Sequence, residues 1–357
     1  MRILRNACSA AVLALAVCAA PAQAQPDLPA DLGPRVADGY ARPAFQRLRE
    51  AAAGMQAALR GDCAPEGSAA MSQAFGALAQ AWAGVEFLRF GPLVQDNRFE
   101  RLAFWPDPRG VVLRQVQEAL AKRDEALLAP GALASRSVAL QGLPALEFVL
   151  YRDAGLLQGG AAADAYACRY AQAVAANVSA LADELAQAWS AQGDFGRQFT
   201  DPGPTRELYR NTQEVAAEAV KALSTGLQFA RDVKLVPVLG ASPDAARPRR
   251  AAFWRSNQTV PTLAAGLAGQ QQLAGVLGQA LPDDARWAGG MAQDEIGRAR
   301  QALHEVQVPI EAAAGQPDAR QALELSALIL KNAKSLVDQD LAAGLGVTIG
   351  FNALDGD

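Results

Sequence analysis

Apolar side chains recur every three or four residues along most of this chain, and almost nowhere every second residue. In AYACRYAQAVAANVSALADELAQAW, residues Tyr166, Tyr170, Val174, Val178, Leu181, Leu185 and Trp189 are spaced by four or three. That spacing lines them along one face of a helix turning every 3.6 residues. RELYRNTQEVAAEAVKALSTGL repeats the pattern through Leu208, Val215, Ala219 and Leu223, and ARQALELSALILKNAKSLVDQDL through Leu323, Leu330, Ala333 and Val337. A half-buried strand needs strict alternation, which these stretches lack. Their abundant alanines let helix axes approach closely, as bundles require. The expected class is all-α.

Three segments interrupt the helical pattern: 90–110, 193–205 and 235–257. The middle one is rich in Gly and Pro and lies near the chain centre, which predicts a junction between two halves. The outer two resemble each other. Each follows a helical stretch, carries Pro and Gly, and contains the tripeptide Ala-Phe-Trp, at Ala103-Phe104-Trp105 and at Ala252-Phe253-Trp254, 149 residues apart. An ancestral duplication into two similar bundles is therefore expected. The expected boundaries are 1–24 for an export signal, 25–195 for the first bundle and 196–357 for the second.

The signal is read from Arg2 and Arg5 ahead of the short apolar run ACSAAVLALAVCAA, with small Ala22 and Ala24 flanking a cleavage point after Ala24. This predicts a periplasmic chain with no transmembrane segment after cleavage. The alternative is an envelope lipoprotein anchored through Cys18. Of four cysteines, Cys8 and Cys18 lie inside the signal, leaving Cys63 and Cys168. In an exported chain such a pair is most simply a disulfide. Charge is nearly balanced, at 33 basic against 37 acidic residues, and no basic stripe suggests nucleic acid.

The chain has one histidine, His304. HEVQV puts Val308 where a zinc-binding HExxH motif needs its second histidine, and no GxSxG nucleophile elbow is present. His304 is expected on a polar helix face. The remaining candidates are charges in apolar surroundings. Glu86 in AWAGVEFLRFGP has Arg89 three residues later, a spacing that shares a helix face. Glu147 in LPALEFVLY has only apolar neighbours and must find a cation, a metal or hydrogen-bond donors. Arg89 and Arg109 are the expected ion-pair partners. The loop QDNRFERLAFWPDPRG gathers Asp96, Asn97, Arg98, Arg101, Trp105, Asp107 and Arg109 into one exposed polar and aromatic segment where a site could sit.

Tyr40 with Pro43, RFGPLVQDNRFERLAFWPDPRG, LQGLPALEFVLY, RAAFWRSN and the terminal LGVTIGFNALDGD together resemble the imelysin-like family. These are exported bacterial proteins grouped with peptidases and with iron-uptake proteins. The resemblance spans nearly the whole mature chain and implies an all-α fold of two up-and-down helical bundles related by internal duplication. The family's GxHxxE motif falls on Gly142 to Glu147. Gly142 and Glu147 match, and Pro144 stands where the histidine belongs. His and Glu three residues apart would share a face of one helical turn and could hold a metal. Pro144 cannot ligate, but it suits the first turn of a helix, so a break at Gly142 and a fresh helix near Pro144 are expected.

The resulting expectation is a non-catalytic periplasmic binding protein linked to iron or other metal acquisition. Its ligand-binding candidates are Glu86, Arg89, Asp96, Asn97, Trp105, Arg109, Gly142, Pro144, Glu147, Trp254 and Arg255, lining a pocket between the bundles. Iron is the candidate cofactor, and Glu147 the candidate metal ligand. The alternatives are a metallopeptidase of the imelysin family, and a structural or partner-binding envelope protein in which GxPxxE serves the fold.

Overall fold

The computed structural model describes residues 27–61, 63, 67–158 and 165–348. The expected signal, Cys8, Cys18 and most of the terminal LGVTIGFNALDGD stretch lie outside the described residues. Within them the chain is helical, with no strand. In chain order the helices are α1 (Leu32–Val36), α2 (Arg42–Ala58), α3 (Ser68–Ala83), α4 (Arg98–Leu102), α5 (Val111–Lys122), α6 (Gly142–Tyr151), α7 (Ala165–Trp189), α8 (Asp194–Thr200), α9 (Thr212–Gln228), α10 (Val236–Leu239), α11 (Thr259–Gly278), α12 (Arg286–His304), α13 (Ile310–Ala313) and α14 (Pro317–Leu336).

Two groups of long helices pack side by side. In the first, α2 packs on α3 and α7, and α6 packs on α7; in the second, α12 lies between α11 and α14, and α9 touches both of those. All seven stripe residues of α7 are buried. The second group closes on small residues: a methyl group added to Gly278 of α11 would lie 2.8 Å from the Cα of Gly289 in α12, so these helices meet backbone to backbone. The groups join where α11 packs on α3 and where α1 reaches α9 and α11. Helix α11 therefore has neighbours on several sides, and its buried residues run from Thr259 to Gly278 with little polar face.

Capping explains one departure from the sequence pattern. Leu208 was expected on the apolar face of α9, yet it is exposed and precedes the helix. Asn211 starts α9, accepting the Glu214 N–H at 2.9 Å, while the Glu214 carboxylate accepts the Arg210 N–H at 2.7 Å. That reciprocal cap ends the helix four residues short of continuing the stripe backward to Leu208.

Cys63 and Cys168 form a disulfide that ties the end of α2 to the start of α7, across 105 residues of sequence. Gln172 fixes the same corner by donating to the carbonyls of Leu59 and Gly61, each at 2.7 Å. The 193–205 segment is not a bare connector. It carries α8, whose Phe195 and Phe199 stack with Phe90, Trp189 and Tyr209.

Candidate functional site

The chain breaks at Gln141, which is extended, and α6 begins with Gly142 at φ 82°. Only glycine fits there. The backbone is left-handed, and a Cβ would lie 2.4 Å from the Leu102 carbonyl at the end of α4. Pro144 follows in the first turn of α6, where it removes no helical hydrogen bond. The side chain of Gln141 holds the break. Its amide donates to the carbonyls of Leu133 (2.8 Å) and Arg136 (3.0 Å), and its oxygen accepts from Asn177 (2.9 Å) and Arg101 (3.3 Å). This buried network had no signal in the sequence beyond a glutamine beside the breakers.

One turn beyond Pro144, Glu147 is 5% exposed. Neither Arg89 nor Arg109 pairs with it, contrary to expectation. Its Oε1 accepts the Ser256 N–H at 3.0 Å, and the Ser256 hydroxyl lies 2.8 Å away. Burial pushes the Glu147 carboxyl above its usual range, opposed by the Ser256 contacts and the nearby Arg255 charge. The Ser256 hydroxyl also lies 3.1 Å from the Phe253 carbonyl. A neutral Glu147 can therefore donate to Ser256 while that hydroxyl turns to Phe253, so the contact survives either charge state. The turn it pins is unusual: Phe253 and Asn257 both hold positive φ, a conformation that bulky side chains keep only when their surroundings impose it.

Glu86 was expected on a helix with Arg89. Helix α3 instead ends at Ala83, and Glu86 sits in the following turn. Its carboxylate pairs with Lys234 of the second helix group, in a contact buried on both sides. Lys234 was missed, although a lone cation in VKLVPV is the same kind of signal that singled out Glu147. It projects from the wide helical turn Phe229–Leu235 that follows α9. The Arg89 guanidinium lies between two rings, 4.2 Å from the centroid of Phe99 and 3.9 Å from that of Phe229. Burial lowers its pKa while the Glu86 and Glu100 charges raise it.

These elements line an open cavity of about 1290 Å3 between the two helix groups. The first group supplies Phe99, the segment 103–108, and Pro144, Glu147, Phe148 and Tyr151 of α6; the second supplies Asp232, Lys234 and the segment 249–255. Both Ala-Phe-Trp tripeptides thus face one space, and they are joined directly, because Trp105 Nε1 donates to the Arg250 carbonyl at 3.3 Å. Of the expected residues, Glu86, Trp105, Pro144, Glu147, Trp254 and Arg255 line this cavity. Asp96, Asn97 and Arg109 are exposed and lie outside its lining, while Arg89 and Gly142 stand behind it. Asp96 pairs with Arg98, and Asp96 and Asn97 make a left-handed turn.

Two lining groups have unused hydrogen-bonding capacity. Arg255 is half-buried, with its guanidinium 4.3 Å from the Trp254 centroid and 5.4 Å from that of Phe148. Its backbone supports Glu147, while the guanidinium itself makes no hydrogen bond or ion pair among the described residues. Burial lowers its pKa, opposed chiefly by the Glu147 charge. Asp107 caps α5 by accepting the Val112 N–H at 2.8 Å through Oδ2, which leaves Oδ1 buried with no partner. No group of three or more His, Cys, Asp or Glu side chains that could hold a metal ion occurs among the described residues. His304 ends α12 on an exposed surface, away from the cavity.

None of the curated proteins compared with this chain matches it. Two solved structures share the fold. An imelysin-like protein from Psychrobacter arcticum 273-4 superposes with a TM-score of 0.70 at 20% identity, covering 91% of this chain and 99% of its own. A protein assigned as an iron-regulated protein A precursor, from Parabacteroides distasonis ATCC 8503, gives a TM-score of 0.68 at 13% identity, covering 88% and 96%. The family described as Imelysin matches residues 41–337. That match takes in both helix groups and every residue of the cavity wall, and by it the chain belongs to the imelysin family.

Proposed function

We propose that this chain is an exported, non-catalytic binding protein of the imelysin family that serves iron acquisition, with the cavity between its helix groups as the binding site. The observation that carries the reading is that both Ala-Phe-Trp segments, one from each half, converge on a space of about 1290 Å3. A space of this size, with aromatic walls and a few polar groups, suits a small molecule. The disulfide supports an oxidising compartment, and the signal read at residues 1–24 supports export to the periplasm; a lipid anchor at Cys18 is the alternative route. Among the described residues, no helix is long and apolar enough to cross a membrane. The link to iron is supported by the name of the Parabacteroides relative.

A resident metal does not fit the residues present. Pro144 occupies the motif's histidine place, and the Glu147 oxygen facing the turn already meets two donors from Ser256. The test is growth of a deletion strain in iron-limited medium, complemented with the wild-type chain or with Trp254→Ala, alongside iron content of cells and of the purified protein. Wild type should restore growth and Trp254→Ala should restore it poorly. Full rescue by Trp254→Ala, with unchanged cellular iron in the deletion strain, removes the binding reading and leaves a structural envelope protein.

A further inference from the structure

We propose that the cavity seats a hydroxylated polycarboxylate anion on Arg255, so that iron reaches this chain as an anionic chelate rather than as a bare ion. The inference rests on the binding role proposed above and names its ligand class. It begins with which wall charges are already engaged. Glu86 is paired with Lys234, Asp232 with Arg231, and Glu147 is held by Ser256. Arg249 is paired with Glu311. Arg255 is half-buried between two ring faces. The Glu147, Asp153 and Glu311 charges act on it from a distance, but its guanidinium makes no ion pair among the described residues, whereas the unpaired Arg250 of the same wall is exposed. A planar fork of donors, pre-oriented by stacking, matches a carboxylate through two parallel hydrogen bonds. Fixing it beforehand reduces the ordering cost of binding.

A bare cation has no comparable place. Among the described residues no acid, histidine or cysteine cluster gathers three ligands, and the Arg255 guanidinium presents cationic donors, not ligands, to an entering ion. Ferric iron is a hard cation that takes oxygen ligands. A chelator can supply those ligands itself and present outer carboxylates to the protein. The second unsatisfied group fits the same class: Asp107 Oδ1 is a buried acceptor in the wall with no donor, which a ligand hydroxyl would satisfy. Trp105 and Trp254 supply flat apolar surface beside these two polar points. The cavity volume exceeds what one small chelate needs, leaving room for water around it.

The experiment is calorimetric titration of the purified disulfide-bonded chain with three probes: citrate alone, ferric citrate in citrate excess, and ferrous ion under anaerobic conditions. Wild type, Arg255→Gln and Arg255→Lys are compared, with thermal melts confirming that each variant folds. Ferric citrate should bind, and Arg255→Gln should weaken it about ten- to a hundredfold. Arg255→Lys should recover only part of that loss, since it keeps the charge and loses the fork. Binding of the chelate that is unchanged in folded Arg255→Gln overturns the inference. So does ferrous binding with both citrate arms silent, an outcome that leaves the iron-binding role standing. Citrate binding equally with and without iron, and sensitive to Arg255, supports the ligand class while removing iron from the proposed function. Silence of all three probes overturns both.

Discussion

Breaking the Glu86–Lys234 pair tests how the two helix groups are held against each other. Both side chains are nearly buried, at 11% and 6% exposure, and they come from opposite halves of the chain. Removing one partner of a buried pair leaves an uncompensated charge, which costs about 3–5 kcal/mol. The two single variants should not cost the same. Glu86 faces two cations, because its charge also supports the ring-sandwiched Arg89. Lys234→Met leaves Glu86 with Arg89 still beside it, so about 3 kcal/mol is expected. Glu86→Gln strands Lys234 and leaves Arg89 with the Glu100 charge alone, so it should fall nearer about 5 kcal/mol. The double variant should be less destabilised than the sum by about 2–3 kcal/mol, since the second change removes a charge that the first left bare. Unfolding entropy is about 2.1 cal/mol/K per residue, so for 357 residues these losses correspond to melting shifts of about 4 to 7 °C. Urea denaturation and thermal melts of the four proteins measure the cycle. Two singles each costing under about 1 kcal/mol, or strict additivity, would show the pair to be solvated and the reasoning wrong. Equal singles would refute only the shared role of Glu86.

Three further outcomes follow from the same geometry. Replacing Cys63 and Cys168 with Ser should lower stability by about 4–5 kcal/mol, the loop-entropy value for 105 residues; a urea midpoint equal to that of the oxidised wild type refutes it. Gly142→Ala should destabilise by about 2 kcal/mol or more, because it adds a Cβ 2.4 Å from the Leu102 carbonyl in a left-handed backbone; a melting temperature within 1 °C of wild type, on the order of this measurement's resolution, would contradict the contact. The raised pKa of Glu147 means the folded state holds its proton more tightly than the unfolded chain. Its stabilising contribution is thus complete below the unfolded value, near 4.5, and is lost as pH rises through the folded value. Glu147→Gln should flatten that fall, so the stability difference between variant and wild type moves in favour of the variant as pH rises above the ordinary carboxyl range. Parallel pH profiles for the two proteins would exclude a raised Glu147.

Helix periodicity made the bundle legible, because a stripe such as that of α7 reports local geometry and burial together. The chain ends of helices were less legible. Leu208 continued a four-residue spacing, but a cap three residues later decided where α9 began, and capping acts through a few hydrogen bonds that periodicity does not weigh. The same limit misplaced Glu86. Its spacing to Arg89 was helical, yet Gly84 closes α3, leaving Glu86 in the turn and Arg89 in the irregular backbone just past it. What pairs with what across the halves was not written in spacing at all. Lys234 lies 148 positions from Glu86 and Ser256 lies 109 from Glu147, and only the packing of α3 on α11 and of α6 beside the 249–255 segment brings them together.

Gly142 and Glu147 each have a structural reason for their place that needs no histidine at position 144. Gly142 is required by the α4 carbonyls, whatever follows it. Glu147 is required by the turn that carries Phe253, Trp254 and Arg255, because its oxygen is the acceptor for the Ser256 N–H. Both positions therefore serve the shape of the cavity wall as well as its chemistry. A histidine at position 144 would serve only the chemistry, and a proline there keeps the helix start that the wall depends on. The site residues most easily read from the sequence are those with this double burden. The Arg255 side chain, on which the proposed ligand class depends, has no such burden; only the RAAFWRSN resemblance pointed to it, since nothing in its spacing distinguished it from the other arginines around it.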